Sequence, residues 1–207
     1  MQGAGSANVG TIEFLRYLRE AATSHGAILI FDEVATSQLH FNGLQGRFGI
    51  YPDLTTVGKY IGGGPSFSAF GGRADIMDAP DPRTGFMTHS GTYNNNVFTM
   101  AAGVAAATLL TPEKIERANQ LGDDIRDGIN AYGNKFIRAN GLGSVVGLKF
   151  SGLAANRLRD AFFFYMLGKQ MYIGKRVFFS INLTHEAEHV KKFLDAFAGF
   201  LAEVFGE

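Results

Sequence analysis

The stretch Ala27-Ile28-Leu29-Ile30-Phe31-Asp32-Glu33 decides the fold class of this chain. Five apolar residues in a row, followed at once by two acids, are typical of a strand that is buried on both faces of a parallel sheet. Upstream, apolar residues recur every three to four positions over residues 11–25, and Gly26 follows where a helix commonly ends. A helix that leads into a buried strand predicts an α/β domain.

The segments that follow extend this pattern. Residues 54–57 and 67–71 read as short strands with a glycine-rich segment between them, and the alanine-rich residues 96–110 predict a helix. Thr111 as N-cap and Pro112 at the first helical position predict the start of another helix. The spacing of its apolar residues predicts that one face carries Ile115, Ala118, Leu121, Ile125 and Ile129.

After about residue 132 the chain reads as a smaller α+β unit. Residues 144–150 and 177–181 predict strands, and residues 186–205 carry apolar side chains at helical spacing, with Thr184 as the expected cap. We therefore expect one domain over residues 1–130 and a second over residues 131–207.

Composition narrows the classes of function. Lys plus Arg and Asp plus Glu both number 19 in 207 residues, so neither nucleic acid nor a membrane surface is an expected partner. The absence of cysteine removes disulfides, thiolate nucleophiles and Cys-based zinc sites. The longest nearly apolar run, residues 100–110, is too short for a bilayer, and residues 1–6 do not read as a signal peptide. A cytoplasmic location is the resulting expectation.

Asp32 is the first candidate site residue, because it stands at the carboxyl end of the predicted strand. Ligands collect at that edge of open parallel sheets, where an acid meets a ligand while its strand stays buried. The alternative is a carboxylate that caps a neighbouring turn.

Lys59 is the second candidate, placed after an apolar strand and before three glycines. A partly desolvated lysine there has an amine free for Schiff-base chemistry, although an ordinary solvated lysine is the alternative. The order of residues is not that of a P-loop, because Lys59 precedes the glycines.

The segment that begins Gly91-Thr92 leads directly into the alanine-rich helix. Hydroxyl and backbone N–H donors at a helix N-terminus can bind phosphate, and the same residues can also serve only as a turn and cap.

Residues 185–189 read HEAEH and match the zinc-protease pattern H-E-x-x-H. Only 18 residues follow, in one predicted helix, and no recognised motif supplies a third ligand. A helix start is the simpler interpretation, and we expect no metal site.

Four segments in order resemble the class III pyridoxal-phosphate aminotransferases, and most of all their glutamate-1-semialdehyde aminomutase-like branch. They are GAILIFDEV (residues 26–34), DLTTVGKYIGGG (53–64), FGGR (70–73) and GTYNNN (91–96). The separation of 27 positions from Asp32 to Lys59 also resembles the family's spacing. The resemblance is clear over residues 1–110 and weaker beyond.

The resemblance implies a role for each matching residue. Lys59 would hold pyridoxal 5'-phosphate as a Schiff base and carry a proton, Asp32 would face the pyridine nitrogen, and Val34 would pack on the ring. Gly91 and Thr92 would reach the cofactor phosphate of a neighbouring subunit, which implies a homodimer with shared sites.

The resemblance also implies the fold and the reaction. The fold would be fold type I, with a partial large domain, a parallel-rich sheet and a connecting helix over residues 1–130, and a small α+β domain over residues 131–207. The reaction would be aminotransferase- or aminomutase-type transfer between an amino donor and a carbonyl acceptor.

The family's subunits are about twice this length, so we expect a chain that lacks the N-terminal half with its main phosphate loop. A non-catalytic truncated remnant, or one half of a split enzyme, is therefore the alternative to an active enzyme.

Overall fold

The computed structural model describes residues 1–2 and 5–206, which form two compact units. One unit is Gly10–Pro112, and the other joins Met1–Val9 to Glu113–Glu207. Gly3, Ala4 and Glu207, which belong to the predicted N-terminal segment and the predicted second domain, lie outside the described residues. The predicted domain boundary near residue 130 stays a prediction.

The unit of residues 10–112 alternates helices and short strands. Its elements are α1 (Ile12–Ser24), β1 (Ile30–Asp32), α2 (Gly43–Phe48), β2 (Leu54–Gly58), β3 (Ser68–Gly72), α3 (Ala74–Met77) and α4 (Val97–Leu109). The predicted first helix is confirmed: Thr11 Oγ1 accepts the Phe14 N–H at 3.2 Å, and Gly26 is left-handed with φ +64°.

The three strands form one sheet in the order β1-β2-β3. β1 and β2 run parallel, with Asp32 opposite Thr56, and β3 runs antiparallel to β2. The expected burial of the first strand on both faces is wrong, since Ile28 is 53% exposed and Ile30 is 54% exposed. β1 is the edge of a three-stranded sheet, and a strand is buried on both faces only where helices cover both.

Hydrogen bonds of Asp53 connect the start of β2 to α1, to the residue before β1 and to the residue after β3. Its carboxylate accepts the backbone N–H of Leu29 at 2.7 Å and the guanidinium groups of Arg19 at 2.9 Å and Arg73 at 3.0 Å. These hydrogen bonds hold the pKa of the buried Asp53 carboxyl well below its usual value of 3.8. The ionised carboxylate of Asp53 is therefore the form that stabilises the folded state.

Asp53→Asn is expected to lower the midpoint of thermal unfolding at pH 7 and to flatten its acid dependence. A lowered folded pKa stabilises the fold above about pH 4, the unfolded value, and that stabilisation is lost as the pH falls toward the folded pKa. Thermal unfolding between pH 3 and pH 7 checks this, with Asp78→Asn, at an exposed position, as the matched control. Equal acid sensitivity of Asp53→Asn and the unchanged chain would contradict the role given to Asp53.

The other unit contains α5 (Pro112–Ala131, of which Pro112 belongs to the first unit), β4 (Ile137–Leu142), β5 (Val145–Phe150), α6 (Ala155–Gly168), β6 (Phe178–Ser180) and α7 (Ala187–Phe205). Its strands form an antiparallel sheet in the order β4-β5-β6. The predicted apolar face of α5 is buried, and its members are Ile115, Ala118, Leu121, Ile125 and Ile129. The core of this unit is completed by side chains of α6, α7 and the sheet, with Phe162, Phe197 and Phe200 fully buried.

The start of α7 differs from the prediction. Glu186 is the N-cap and forms a capping box with His189, whose ring nitrogen accepts the Glu186 N–H at 3.0 Å. Thr184 instead donates its N–H and its hydroxyl to Asn182 Oδ1. The sequence predicts Thr184 as the N-cap because hydroxyl side chains are common at that position. The capping box of Glu186 and His189 instead satisfies two backbone N–H groups at the start of α7, one at each of these residues.

Among residues 1–2 and 5–206, the helices are all too short or too polar to cross a bilayer.

Candidate functional site

The site begins where β1 ends, at Asp32. Its side chain is exposed, and its Oδ1 accepts the Val34 N–H at 3.0 Å and the Thr56 hydroxyl at 3.5 Å. These two contacts hold the carboxylate at the edge of the sheet, close to the end of β2. The turn-capping interpretation and the ligand-binding one are thus compatible, because the second carboxylate oxygen has no protein partner among the described residues.

The register of the sheet places Asp32 in a row with Thr56 and Phe70. Asp32 lies opposite Thr56, and Thr56 lies opposite Phe70, so the three side chains share one face. Sequence analysis missed Thr56 and Phe70 as site residues. The sequence predicts that Thr56 and Phe70 lie on strands. Only the register of those strands shows that they lie beside Asp32.

Val34 lies on the same face, beside the end of β2. A Cβ atom on Gly58 would lie 3.6 and 3.7 Å from the two Val34 methyl carbons and 3.1 Å from the carbonyl oxygen of Phe67. Val34 therefore packs within van der Waals range of Gly58, the residue immediately before Lys59, and the closest neighbour of a Cβ at Gly58 would be the Phe67 carbonyl oxygen. The structure brings Asp32, Val34 and the Lys59 backbone together at the carboxyl ends of two parallel strands.

Lys59 is exposed and has a left-handed backbone, with φ +57°. It begins a 3₁₀ helix, Lys59–Gly62, directly after β2. A left-handed non-glycine residue costs free energy, and such residues are enriched at functional sites. Side chains alternate between the two faces of the sheet only as far as the end of β2. The left-handed turn at Lys59 ends this alternation, so the direction of the Lys59 side chain does not follow from the strand pattern.

Close packing requires a glycine at position 63, four residues after Lys59. Gly63 has φ +65°, and a Cβ there would lie 2.4 Å from the carbonyl oxygen of Ala102 in α4. Such a contact is far below any real Cβ separation, so a side chain at Gly63 would push the Lys59–Gly62 turn away from α4.

Gly91 and Thr92 are exposed in a turn closed by the Asn94 N–H, which donates to the Gly91 carbonyl at 3.0 Å. None of the hydrogen bonds of the described residues joins this turn to Asp32 or Lys59. His89, two residues earlier, brings the loop to the same face of the sheet, because its ring makes an edge contact with Phe70 at 5.3 Å. His89 was also missed, since a single histidine in a loop carries no pattern in the sequence.

The H-E-x-x-H match has local structural roles. His185 lies before α7 and is bound to Asn182, whereas His189 lies inside the helix and caps it. The two rings are 5.6 Å apart, edge to face. The two histidines are therefore not presented one turn apart on a single helix, as the zinc pattern requires.

The arrangement has a defined chemical capacity. The carboxylate of Asp32, the side chain of Val34 and the backbone of Lys59 lie at the carboxyl edge of two parallel strands, which is the edge where open α/β sheets bind ligands. The carboxylate can hold a cationic nitrogen, and the amine can attack a carbonyl carbon.

Comparison with known sequences gives consistent matches. A family model described as Aminotransferase class-III matches residues 1–201. Beta-phenylalanine transaminase of Variovorax paradoxus is 44% identical over 215 residues, which cover 97% of this chain and 50% of that protein. A glutamate-1-semialdehyde 2,1-aminomutase of Macrococcus caseolyticus is 46% identical over 138 residues, which cover 65% of this chain and 32% of that protein. The chain spans about half the length of the first of these relatives.

Comparison with solved structures gives the same picture. The crystal structure of the beta-phenylalanine aminotransferase from Variovorax paradoxus has a TM-score of 0.92 at 43% identity, covering 98% of this chain and 50% of that one. An omega-transaminase from Sphaerobacter thermophilus has a TM-score of 0.88 at 30% identity, covering 95% of this chain and 49% of that one. These similarities confirm the predicted α/β fold class.

Proposed function

Because this chain belongs to the class III aminotransferase family, we propose that it transfers an amino group between an amino acid or amine and a carbonyl compound with pyridoxal 5'-phosphate. The observation that supports this most directly is the meeting of Asp32, Val34 and Lys59 at the ends of β1 and β2. Each has the side-chain chemistry that the cofactor needs.

The residues present fit the cofactor. Asp32 has a carboxylate oxygen without a protein partner for the pyridine nitrogen, Val34 offers an apolar contact for the ring, and Lys59 has an exposed amine for the aldehyde carbon. Thr92 and Gly91 offer a hydroxyl and backbone N–H groups for a phosphate. In the described part of the chain no hydrogen bond joins these two residues to Asp32, which fits the proposal that they serve the site of a neighbouring subunit.

Each of these residues has a task in the proposed reaction. Asp32 would hold the pyridine nitrogen of the cofactor in its protonated form, because a nearby anion favours the charged form of that nitrogen. Lys59 would hold the cofactor through its amine and, when that amine is free, would move a proton to and from the substrate carbon. When bound, the cofactor supplies the electron sink that stabilises the deprotonated substrate.

Mapping of the modified lysine tests this function. The full chain is incubated with pyridoxal 5'-phosphate and reduced with borohydride, and the modified peptide is identified by mass spectrometry. We expect modification of Lys59 close to one per chain, and its loss when an amino donor is added before reduction. Modification spread over exposed lysines such as Lys192, with no effect of the donor, would favour the non-catalytic alternative.

Asp32→Asn is expected to slow amino transfer by about 100-fold while Lys59 is still modified. The amide has no charge to hold the pyridine proton, and loss of one well-placed electrostatic contact commonly has an effect of this size. The rate at which an amino donor removes the cofactor from Lys59 is the measurement. Asp78→Asn is the control, and equal rates in the two variants would contradict the role of Asp32.

The donor and acceptor are part of the proposal. Beta-phenylalanine and glutamate-1-semialdehyde, named by the two relatives, are the first compounds to assay, because they separate transamination from intramolecular amino transfer.

We also propose a homodimer, on account of the uncovered surface of α4. No residue of this helix is buried, and Val97, Phe98 and Val104 are 77%, 82% and 68% exposed. Residues 84–112 contain no Asp, Glu, Lys or Arg. A helix that is apolar on all sides is normally covered, and a second copy of the chain is the proposed cover.

Sedimentation of the full chain measures this assembly. We expect a dimer, and Phe98→Glu is expected to shift it toward monomer because the change puts a charge into the covered surface. An unchanged distribution would contradict the interface. The cytoplasmic location expected from the sequence remains a prediction.

A further inference from the structure

The first turn of α7 is capped by a histidine, a residue that also takes up a proton near neutral pH. The Nδ1 atom of His189 accepts the Glu186 N–H at 3.0 Å, and the Glu186 side chain accepts the His189 N–H in return. An imidazole nitrogen accepts a hydrogen bond only while it carries no proton. This capping box therefore requires a neutral His189 ring with its proton on Nε2.

His185, four residues before His189, is bound in a way that tolerates a proton. Its Nδ1 lies 2.9 Å from the Asn182 Oδ1 atom and 3.2 Å from the Asn182 backbone nitrogen. The same ring nitrogen can thus accept the N–H when it is free and donate to the amide oxygen when it is protonated. Protonation leaves His185 with a partner for Nδ1, whereas it leaves His189 with none.

The turn that His189 closes is also bound to α5. Arg117 of α5 donates to a carboxylate oxygen of Glu186 at 2.5 Å and to the carbonyl oxygen of Leu183 at 2.8 Å. The hydrogen bond from Arg117 holds the pKa of the Glu186 carboxyl below its usual value. Glu186 therefore remains an anion over the pH range in which imidazoles titrate, and the ring of His189 is the part of the capping box that changes.

Charges of both signs surround the His189 ring. The charged and titratable groups placed there are Arg117 of α5, His185 of the preceding loop, the N-cap Glu186, and Glu188 and Lys192 of α7. The two carboxylates favour a proton on the ring, whereas the cations and the positive end of α7 oppose it. These charges determine the pH at which the ring titrates, but the direction of the structural change follows from the hydrogen bond.

We propose that His189 is a pH-sensitive cap of α7. The neutral ring completes the capping box. When the ring takes up a proton, the Glu186 N–H loses its acceptor and the first turn of α7 opens at residues 186–189. The open form binds the proton and the closed form does not, so acid favours opening.

NMR spectroscopy of the full chain between pH 8 and pH 5 tests this cap. At pH 8 we expect the ring nitrogen signals of His189 to show the proton on Nε2. As the pH falls, the Glu186 amide signal is expected to move with the same midpoint as the His189 ring signals. Protection of the Glu186 amide against hydrogen exchange, corrected for the intrinsic effect of pH, is expected to fall about fivefold, as loss of a helix cap predicts.

His189→Gln separates the proton from the cap, because glutamine keeps an acceptor at this position of a capping box and does not titrate. This variant is expected to protect the Glu186 amide equally at pH 8 and pH 5, whereas His189→Ala is expected to lose the protection at both. His185→Gln is the matched control and is expected to keep the pH dependence. His189 is exposed, so its replacement leaves the core intact.

Three results would overturn the proposal. The first is equal protection of the Glu186 amide at pH 8 and pH 5 in the unchanged chain. The second is the same acid-induced loss of protection in His189→Gln. The third is a His185→Gln chain without pH dependence, which would make His185 the group that titrates.

Discussion

Lys59→Ala is expected to abolish covalent attachment of pyridoxal 5'-phosphate and to slow amino transfer by at least about 100-fold. Alanine has no amine to bind the aldehyde carbon, and a positioned general base commonly contributes 10²- to 10⁴-fold to a rate. Borohydride trapping followed by mass spectrometry measures the attachment, and product formation from an amino donor measures the rate.

Two variants and one added reagent control this experiment. Lys59→Arg keeps the positive charge but offers no free amine, so it is expected to behave like Lys59→Ala. Lys192→Ala removes an exposed lysine on α7 and is expected to leave both measurements unchanged. A small primary amine is expected to restore part of the rate in Lys59→Ala. Full activity of Lys59→Ala without added amine would refute the assignment.

Phe162→Ala is expected to destabilise the unit of residues 113–206 by about 3–5 kcal/mol in the free energy of unfolding. Phe162 is 0% exposed, and its ring contacts those of Phe150, Phe197 and Phe200 at centroid distances of 5.8, 5.9 and 5.0 Å. The substitution removes the apolar side chain and leaves a cavity where α6, α7 and β5 meet. Urea unfolding followed by circular dichroism measures the change.

Phe164→Ala, two residues along α6, is the matched control for this substitution. Phe164 is 61% exposed, so its truncation creates no buried cavity. Phe164→Ala is therefore expected to change the free energy of unfolding far less than Phe162→Ala. Similar effects at the two positions would contradict the assignment of Phe162 to the core.

Periodicity predicted the strongest elements of the fold. The apolar faces of α5 and α7 are confirmed, because long amphipathic helices carry many repeats of the pattern. β4 was not predicted: Ile137 and Ala139 alternate with Arg138 and Asn140, but the adjacent Asn140-Gly141 pair is typical of a turn. α6 was also missed, since a run of four aromatic residues has weak helix propensity and is helical here through packing.

Burial was harder to predict than secondary structure. Ile28 and Ile30 satisfy the pattern of a fully buried strand, yet the sheet that would bury them has only three strands here. An apolar run indicates that a segment is stable when it is buried. It does not indicate which other helices or strands bury it.

The candidate site divides in the same way. Asp32 and Lys59 could be found because each follows an apolar strand, and parallel pairing of β1 with β2 brings their backbones to one edge. Thr56, Phe70 and His89 could not, because their place depends on the register of β2 with its neighbours and on a long-range ring contact. The roles of Lys59, Asp32, Val34, Gly91 and Thr92 remain predictions that the variants above address.

We expect the uncharged surface of α4 to affect how long the chain survives in a cell. Molecular chaperones and proteases act on proteins that expose apolar segments, so we expect both to recognise a newly made copy in which Val97 and Phe98 are uncovered. Covering this helix would remove the signal for degradation. Association depends on concentration, and copies that have not associated would be degraded. The amount of the chain in a cell would then rise more than in proportion to its rate of synthesis.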